Sequence, residues 1–173
     1  MIYVTVGTMF LDFPRLVTAM DAIAQNTGER LVVQIGLGKT LPQHGEHFAF
    51  KPRQEVLALQ REARVIVCHA GIGSVLDALH VRRPFIVVPR RKRFNEHMND
   101  HQMDLAQAVQ QRGWGLAVYN IEELPTACAT PKLFPARYQP GKEPLVAALR
   151  GFLEQVAGRN AGRRRRPNEE GTA

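Results

Sequence analysis

The stretch Val65-Ile66-Val67-Cys68-His69-Ala70-Gly71-Ile72-Gly73-Ser74 decides the fold. Its first four residues are apolar and do not alternate with polar ones. Such a run suits a strand buried on both faces, as in a parallel sheet covered by helices. The two glycines that follow let the backbone come close to a ligand. Val75, Leu76, Leu79 and Val81 then repeat at helical spacing and stop before Pro84. A helix opening here would present unbonded N–H groups and the positive end of its dipole to an anion such as a diphosphate. Ser74 is placed to cap that helix or to donate to phosphate. A capped turn with no ligand would read the same way.

Working outward, three similar runs appear at Ile2 to Val6, Leu31 to Ile35 and Phe85 to Val88, with a weaker one at Leu116 to Tyr119. Helical patterns fall between them. Leu16, Val17, Met20, Ile23 and Ala24 form one face, with Asp12 and Pro14 as start signals. Val56, Leu57 and Leu59 predict a short helix. Met98 to Gln111 predicts a longer one ended by Gly113, and Leu145, Val146, Leu149, Phe152, Leu153 and Val156 a last one. Strands alternating with helices imply an α/β, doubly wound parallel sheet of Rossmann-like type. Proline-rich Thr126 to Gly141 is expected to be an irregular connection. One domain is expected over residues 1–160, with a disordered basic tail over 161–173 carrying Arg163 to Arg166.

Composition narrows the classes. The 173 residues carry a formal charge of +7, which suits phosphorylated ligands, anionic lipid or nucleic acid. With aromatic residues at 7%, the interleaved stacking side chains of a single-strand binder are missing, so no nucleic-acid partner is expected. Cys68 and Cys128 have no CxxC partners, which argues against a thiolate metal site or a redox motif. No basic leader precedes the opening Met1-Ile2-Tyr3-Val4, and no apolar run approaches the ~20 residues of a membrane span. The expected location is therefore the cytoplasm.

Ligands of open parallel sheets bind beyond the carboxyl ends of the strands. Gly7 and Thr8 follow the first run and offer a close backbone approach and a hydroxyl. Gly36-Leu37-Gly38-Lys39-Thr40 follows the second, but Val33 stands where a P-loop needs its first glycine and Pro42 interrupts the helix to come. Leu76 replaces the third glycine of a dinucleotide fingerprint, and Pro89-Arg90-Arg91 stands where its acidic residue belongs. Asp77 lies instead on the first turns of the helix, where a carboxylate accepts hydrogen bonds from ribose hydroxyls or complements the helix dipole. Asn95 to Gln102 is dense in polar residues and suits a hydroxyl-rich ligand. His97 and His101 are four apart, but Glu96 precedes His97, so the H-E-x-x-H zinc signature is absent and no metal site is expected.

The ordered set His69 to Ser74, Asp77-Ala78-Leu79, Pro84 to Pro89, Glu96-His97 and Asp100-His101-Gln102 resembles the C-terminal, donor-binding domain of the MurG-like family 28 glycosyltransferases. Within that family it resembles most the short single-domain members, the PssE-type exopolysaccharide subunits among them. Val4-Thr5-Val6-Gly7-Thr8 matches their opening. The resemblance implies one half of a GT-B fold, with Gly7, Thr8, Gly71, Ile72, Gly73 and Ser74 at the donor diphosphate. It also implies Asp77 at the ribose, in place of the usual glutamate. Glu96, Asp100, His101 and Gln102 would lie at the donor sugar, and the backbone near Phe50 to Arg53 at uracil. It implies a UDP-sugar donor, a polyprenyl-diphosphate-linked acceptor, and an inverting transfer that needs no metal or other cofactor. A separate membrane-anchored subunit would supply the acceptor-binding half and hold the chain at the inner face of the cell membrane. His69 and His101 are the candidate bases within this chain. A non-catalytic UDP-sugar-binding regulatory subunit is the alternative. Arg90, Arg91 and Arg93 are expected either to favour an acidic sugar or to be surface charge.

Overall fold

A computed structural model describes residues 1–131. The helix expected over residues 145–156 and the tail over 161–173 lie outside the described residues. Six strands are formed: β1 (Ile2–Thr5), β2 (Leu31–Gln34), β3 (Glu46–Phe48), β4 (Val65–His69), β5 (Phe85–Val88) and β6 (Leu116–Ala117). Five α-helices accompany them: α1 (Pro14–Thr27), α2 (Arg53–Glu62), α3 (Ile72–Val81), α4 (His101–Gln111) and α5 (Leu124–Ala129). The sheet is entirely parallel with order β3-β2-β1-β4-β5-β6. This is the doubly wound order, and the winding reverses between β1 and β4, where such sheets open a ligand crevice.

Successive strand residues point to opposite faces, and both faces are covered. Ile2 and Val4 pack with Leu16, Met20 and Leu124 from α1 and α5. Tyr3 between them packs with Val75, Ala78 and Val109 from α3 and α4. That is why the strand runs do not alternate. Each fully buried Leu or Ile contributes about 1.5–3 kcal/mol of transfer free energy, and Ile2, Leu16, Ile66 and Leu31 are all enclosed.

Five local expectations are corrected. Phe13, not Asp12, caps α1, with Pro14 in the first turn. The Asp12 carboxylate accepts from Thr40 N at 3.0 Å and Thr40 Oγ1 at 2.7 Å, tying the loop after β2 to the start of α1. The helix expected from Met98 starts at His101, because residues 92–100 are taken up by a 3₁₀ turn (Lys92–Phe94) and bends. The segment expected to be irregular from Thr126 begins inside α5, with Pro125 placed in its first turn, where it needs no N–H partner. The weak run at Leu116 contributes only the two residues of β6. Ser74, third residue of α3, makes no side-chain cap; the cap position is Gly71.

Candidate functional site

The site grows from the carboxyl ends of β1 and β4. Thr5, at the end of β1, is buried and works in both directions. Its hydroxyl donates to Gln34 Oε1 at 3.1 Å and accepts from Gly7 N at 3.2 Å. The hydroxyl of Tyr3 donates to the same Gln34 oxygen at 3.0 Å. Gly7 is thereby fixed in a left-handed conformation, φ +82°, which favours glycine. A Cβ there would also lie 2.5 Å from His69 Cε1.

His69 closes β4 and lies between the two glycine turns, since a Cβ on Gly71 would collide with the same ring. Burial pushes its pKa down to about 4, the Arg90 charge adds to the effect, and a backbone hydrogen bond with Thr5 opposes it. The imidazole is therefore neutral at pH 7. It is a weak base, lodged against the glycine turns.

Past His69 the chain makes one tight bond, Gly71 N to His69 O at 2.8 Å, and α3 begins. Val75 N is the first α3 amide with a partner, Gly71 O at 3.1 Å. The amides of Ile72, Gly73 and Ser74 have none among the described residues. Three unbonded donors at the positive end of a ten-residue helix are chemically suited to an anion.

A cleft of about 340 Å³ opens beside Gly73 and Ser74, while Gly71 and Ile72 are not in its lining. The structure brings six of the sequence-predicted residues to it: Gly7, Thr8, His69, Gly73, Ser74 and Asp77. Thr5, Gln34, Lys51, Arg53 and Val56 complete its walls. Of these, only the stretch from Phe50 to Arg53 carried any expectation, and that concerned its backbone. Here the side chain of Arg53 donates from Nη2 to Asp77 Oδ1 at 2.5 Å.

The polar segment after β5 does not line this cleft. Glu96, expected at the donor sugar, is a buried anchor. Its carboxylate accepts from Arg15 Nε and Nη2, both at 2.9 Å, and from Arg91 N at 3.0 Å, so both oxygens are engaged. Gln102 is also buried, with Oε1 accepting from Arg90 N at 3.0 Å. Asp100 is exposed and accepts from Lys92 N at 2.9 Å. His101 is exposed at the start of α4, hydrogen-bonded to Asn99 and edge-on to His97. Among the described residues no group of three or more His, Cys, Asp or Glu side chains is placed to hold a metal ion.

Arg90 is neither a sugar ligand nor surface charge. It is fully enclosed, with its Nη1 donating to Leu11 O, Asp12 O and Glu96 O and its Nη2 donating to Val6 O at 2.8 Å. Burial lowers its pKa to about 10 against the pull of Glu96 and Asp12, so it stays charged. It fastens the loop after β1 to the loop after β5. No local pattern announces it, because Val6 is 84 residues away.

A sequence model of the glycosyltransferase family 28 C-terminal domain matches residues 1–149. The chain belongs to this family. The UDP-N-acetylglucosamine transferase subunit ALG13 of Homo sapiens is 32% identical over 121 residues, 65% of this family 28 domain and 10% of that protein. The subunit of the same name from Eremothecium gossypii is 36% identical over 85 residues, 47% of this chain and 38% of that one. The domain thus spans about a tenth of the human relative. In three dimensions it is similar to the solution structure of ALG13, with a TM-score of 0.56 at 20% identity, covering 83% of this chain and 93% of that one. It is also similar to MurG of Acinetobacter baumannii, with a TM-score of 0.52 at 16% identity, covering 76% and 42%. The shared fold is one half of the GT-B arrangement.

Proposed function

We propose that this family 28 domain binds a UDP-sugar and is the donor half of a two-component, inverting glycosyltransferase. The observation that carries the reading is the row of unbonded amides at Ile72, Gly73 and Ser74, of which Gly73 and Ser74 line the same cleft as Gly7 and Asp77. The amides suit a diphosphate, and Asp77 suits a ribose diol. Membership of family 28 and relatives named as UDP-N-acetylglucosamine transferase subunits support a UDP-sugar over other nucleotides.

In the transfer, an acceptor hydroxyl attacks the anomeric carbon from the face opposite the diphosphate, the glycosidic bond to UDP breaks, and UDP leaves. Negative charge grows on the leaving diphosphate, where fixed helix-terminal amides stabilise it without reorganising. The attacking hydroxyl must lose a proton to a general base. With a pKa of about 4 and a place against the glycine turns, His69 is a poor candidate. The base belongs to an acceptor-binding partner or to His101.

A partner is further supported by exposed apolar side chains. Phe10, Leu37, Leu41, Ile72, Phe94 and Met98 are large, apolar and exposed, and all follow the carboxyl ends of strands. Large apolar side chains left exposed beyond the strand ends suit a surface that another molecule covers. The proposed acceptor is a sugar on a polyprenyl-diphosphate carrier in exopolysaccharide assembly, with the partner holding the domain at the inner face of the membrane. Among the described residues no helix is long and apolar enough to cross a membrane. Assay of the chain alone, and with the membrane protein that co-purifies with it, against a panel of UDP-sugars tests the reading. Turnover is expected from the pair and not from the chain alone. Full turnover by the isolated chain would refute the two-component reading, and none from the pair with any UDP-sugar would favour a regulatory subunit.

A further inference from the structure

The ion pair between Arg53 and Asp77 lies in the wall of the cleft and joins the first residue of α2 to the second turn of α3. Its partners differ in exposure: the Arg53 side chain is 70% accessible and that of Asp77 22%. An exposed arginine in one single-donor contact adds little to stability. What it does fix is the carboxylate. A carboxylate has about four lone-pair sites, and Arg53 occupies one of them, on Oδ1. No other hydrogen bond to Asp77 is formed among the described residues, so Oδ2 has no protein donor, and Asp77 lines the cleft. Without the guanidinium the short aspartate side chain would turn among its rotamers and lose the orientation that a vicinal diol needs.

We propose that Arg53 is a positioning residue that sets the sugar specificity of the nucleotide site: it holds the Asp77 carboxylate ready for a 2′,3′-diol and so makes the site select ribonucleotides over 2′-deoxyribonucleotides. This rests on the UDP reading above. It assigns Arg53 a role through Asp77, with no direct contact to the reacting atoms.

The test is calorimetric titration of the full chain with UDP and with 2′-deoxy-UDP, for the wild type and for Arg53→Gln, Arg53→Lys, Asp77→Asn and the Arg53→Gln/Asp77→Asn pair. The wild type is expected to bind UDP roughly tenfold or more tightly than the deoxy form, the value of a hydrogen bond to a charged group. Arg53→Gln should bring that ratio below about threefold, Arg53→Lys should restore part of it, and Arg53→Gln should add nothing on top of Asp77→Asn. Circular dichroism should be unchanged, since Arg53 is exposed. An unchanged ratio in Arg53→Gln, with or without a general loss of affinity, overturns the inference. Tighter UDP binding in that variant also overturns it, because Arg53 would then be a competitor for Asp77. A wild type that binds both nucleotides equally refutes the inference alone. One that binds neither refutes the UDP reading as well.

Discussion

Asp77 and His69 line the same cleft and act on it differently. Asp77 lies on the flank of α3 with one carboxylate oxygen free, and its packing role is small. Asp77→Ala should weaken UDP binding by roughly tenfold to a hundredfold, the range for a hydrogen bond to a charged group, and leave the fold intact. Calorimetry alongside circular dichroism checks it, and full affinity in a folded variant would remove Asp77 from the site. His69 couples the fold to pH. Its folded pKa, about 4, lies below the ordinary value of 6.5, so between these values the unfolded chain holds the extra proton. Stability therefore rises with pH through this window and is lost on acidification from 6.5 towards 4. The size is roughly 3 kcal/mol, at 1.36 kcal/mol per pKa unit. His69→Asn should lose less stability than the wild type between pH 7 and pH 4.5, by roughly 2 kcal/mol in urea titrations. Equal losses would show that the imidazole is not buried neutral.

Among the elements, the loops after β1 and β5 depend on one another through Arg90. Arg90→Met would leave the carbonyls of Val6, Leu11, Asp12 and Glu96 without that donor. Breaking a buried charged network by removing one member costs about 3–5 kcal/mol. Urea denaturation should show a loss in that range, and a loss below about 1 kcal/mol would mean that the loops hold themselves. The same elements show what could be read from the chain. The strands of the sheet centre were legible because burial on both faces leaves an unbroken apolar run. β3 was not, because Glu46 and His47 are polar and exposed, only Phe48 is half-buried, and the strand takes its place from pairing with β2 at the sheet edge. The glycine turns and Asp77 were legible because they follow the strand within a few residues. Arg15, Arg53 and Arg90 were not, because their partners lie 81, 24 and up to 84 residues away. The pairing of Glu96 was illegible for the same reason, since Arg15 lies 81 residues away.

For the whole molecule, the described residues build a six-stranded doubly wound sheet and place the first turn of α3, with its unbonded amides, at its switch point. In the proposed donor half, the first amides of α3 hold the diphosphate. An amide-resolved NMR titration of the 19.4 kDa chain with UDP tests it most directly. The largest shifts should fall on the amides of Ile72, Gly73 and Ser74, with Gly7 following, and UMP should move them less. UDP binding that leaves those amides unmoved and perturbs another face of the sheet would contradict the account.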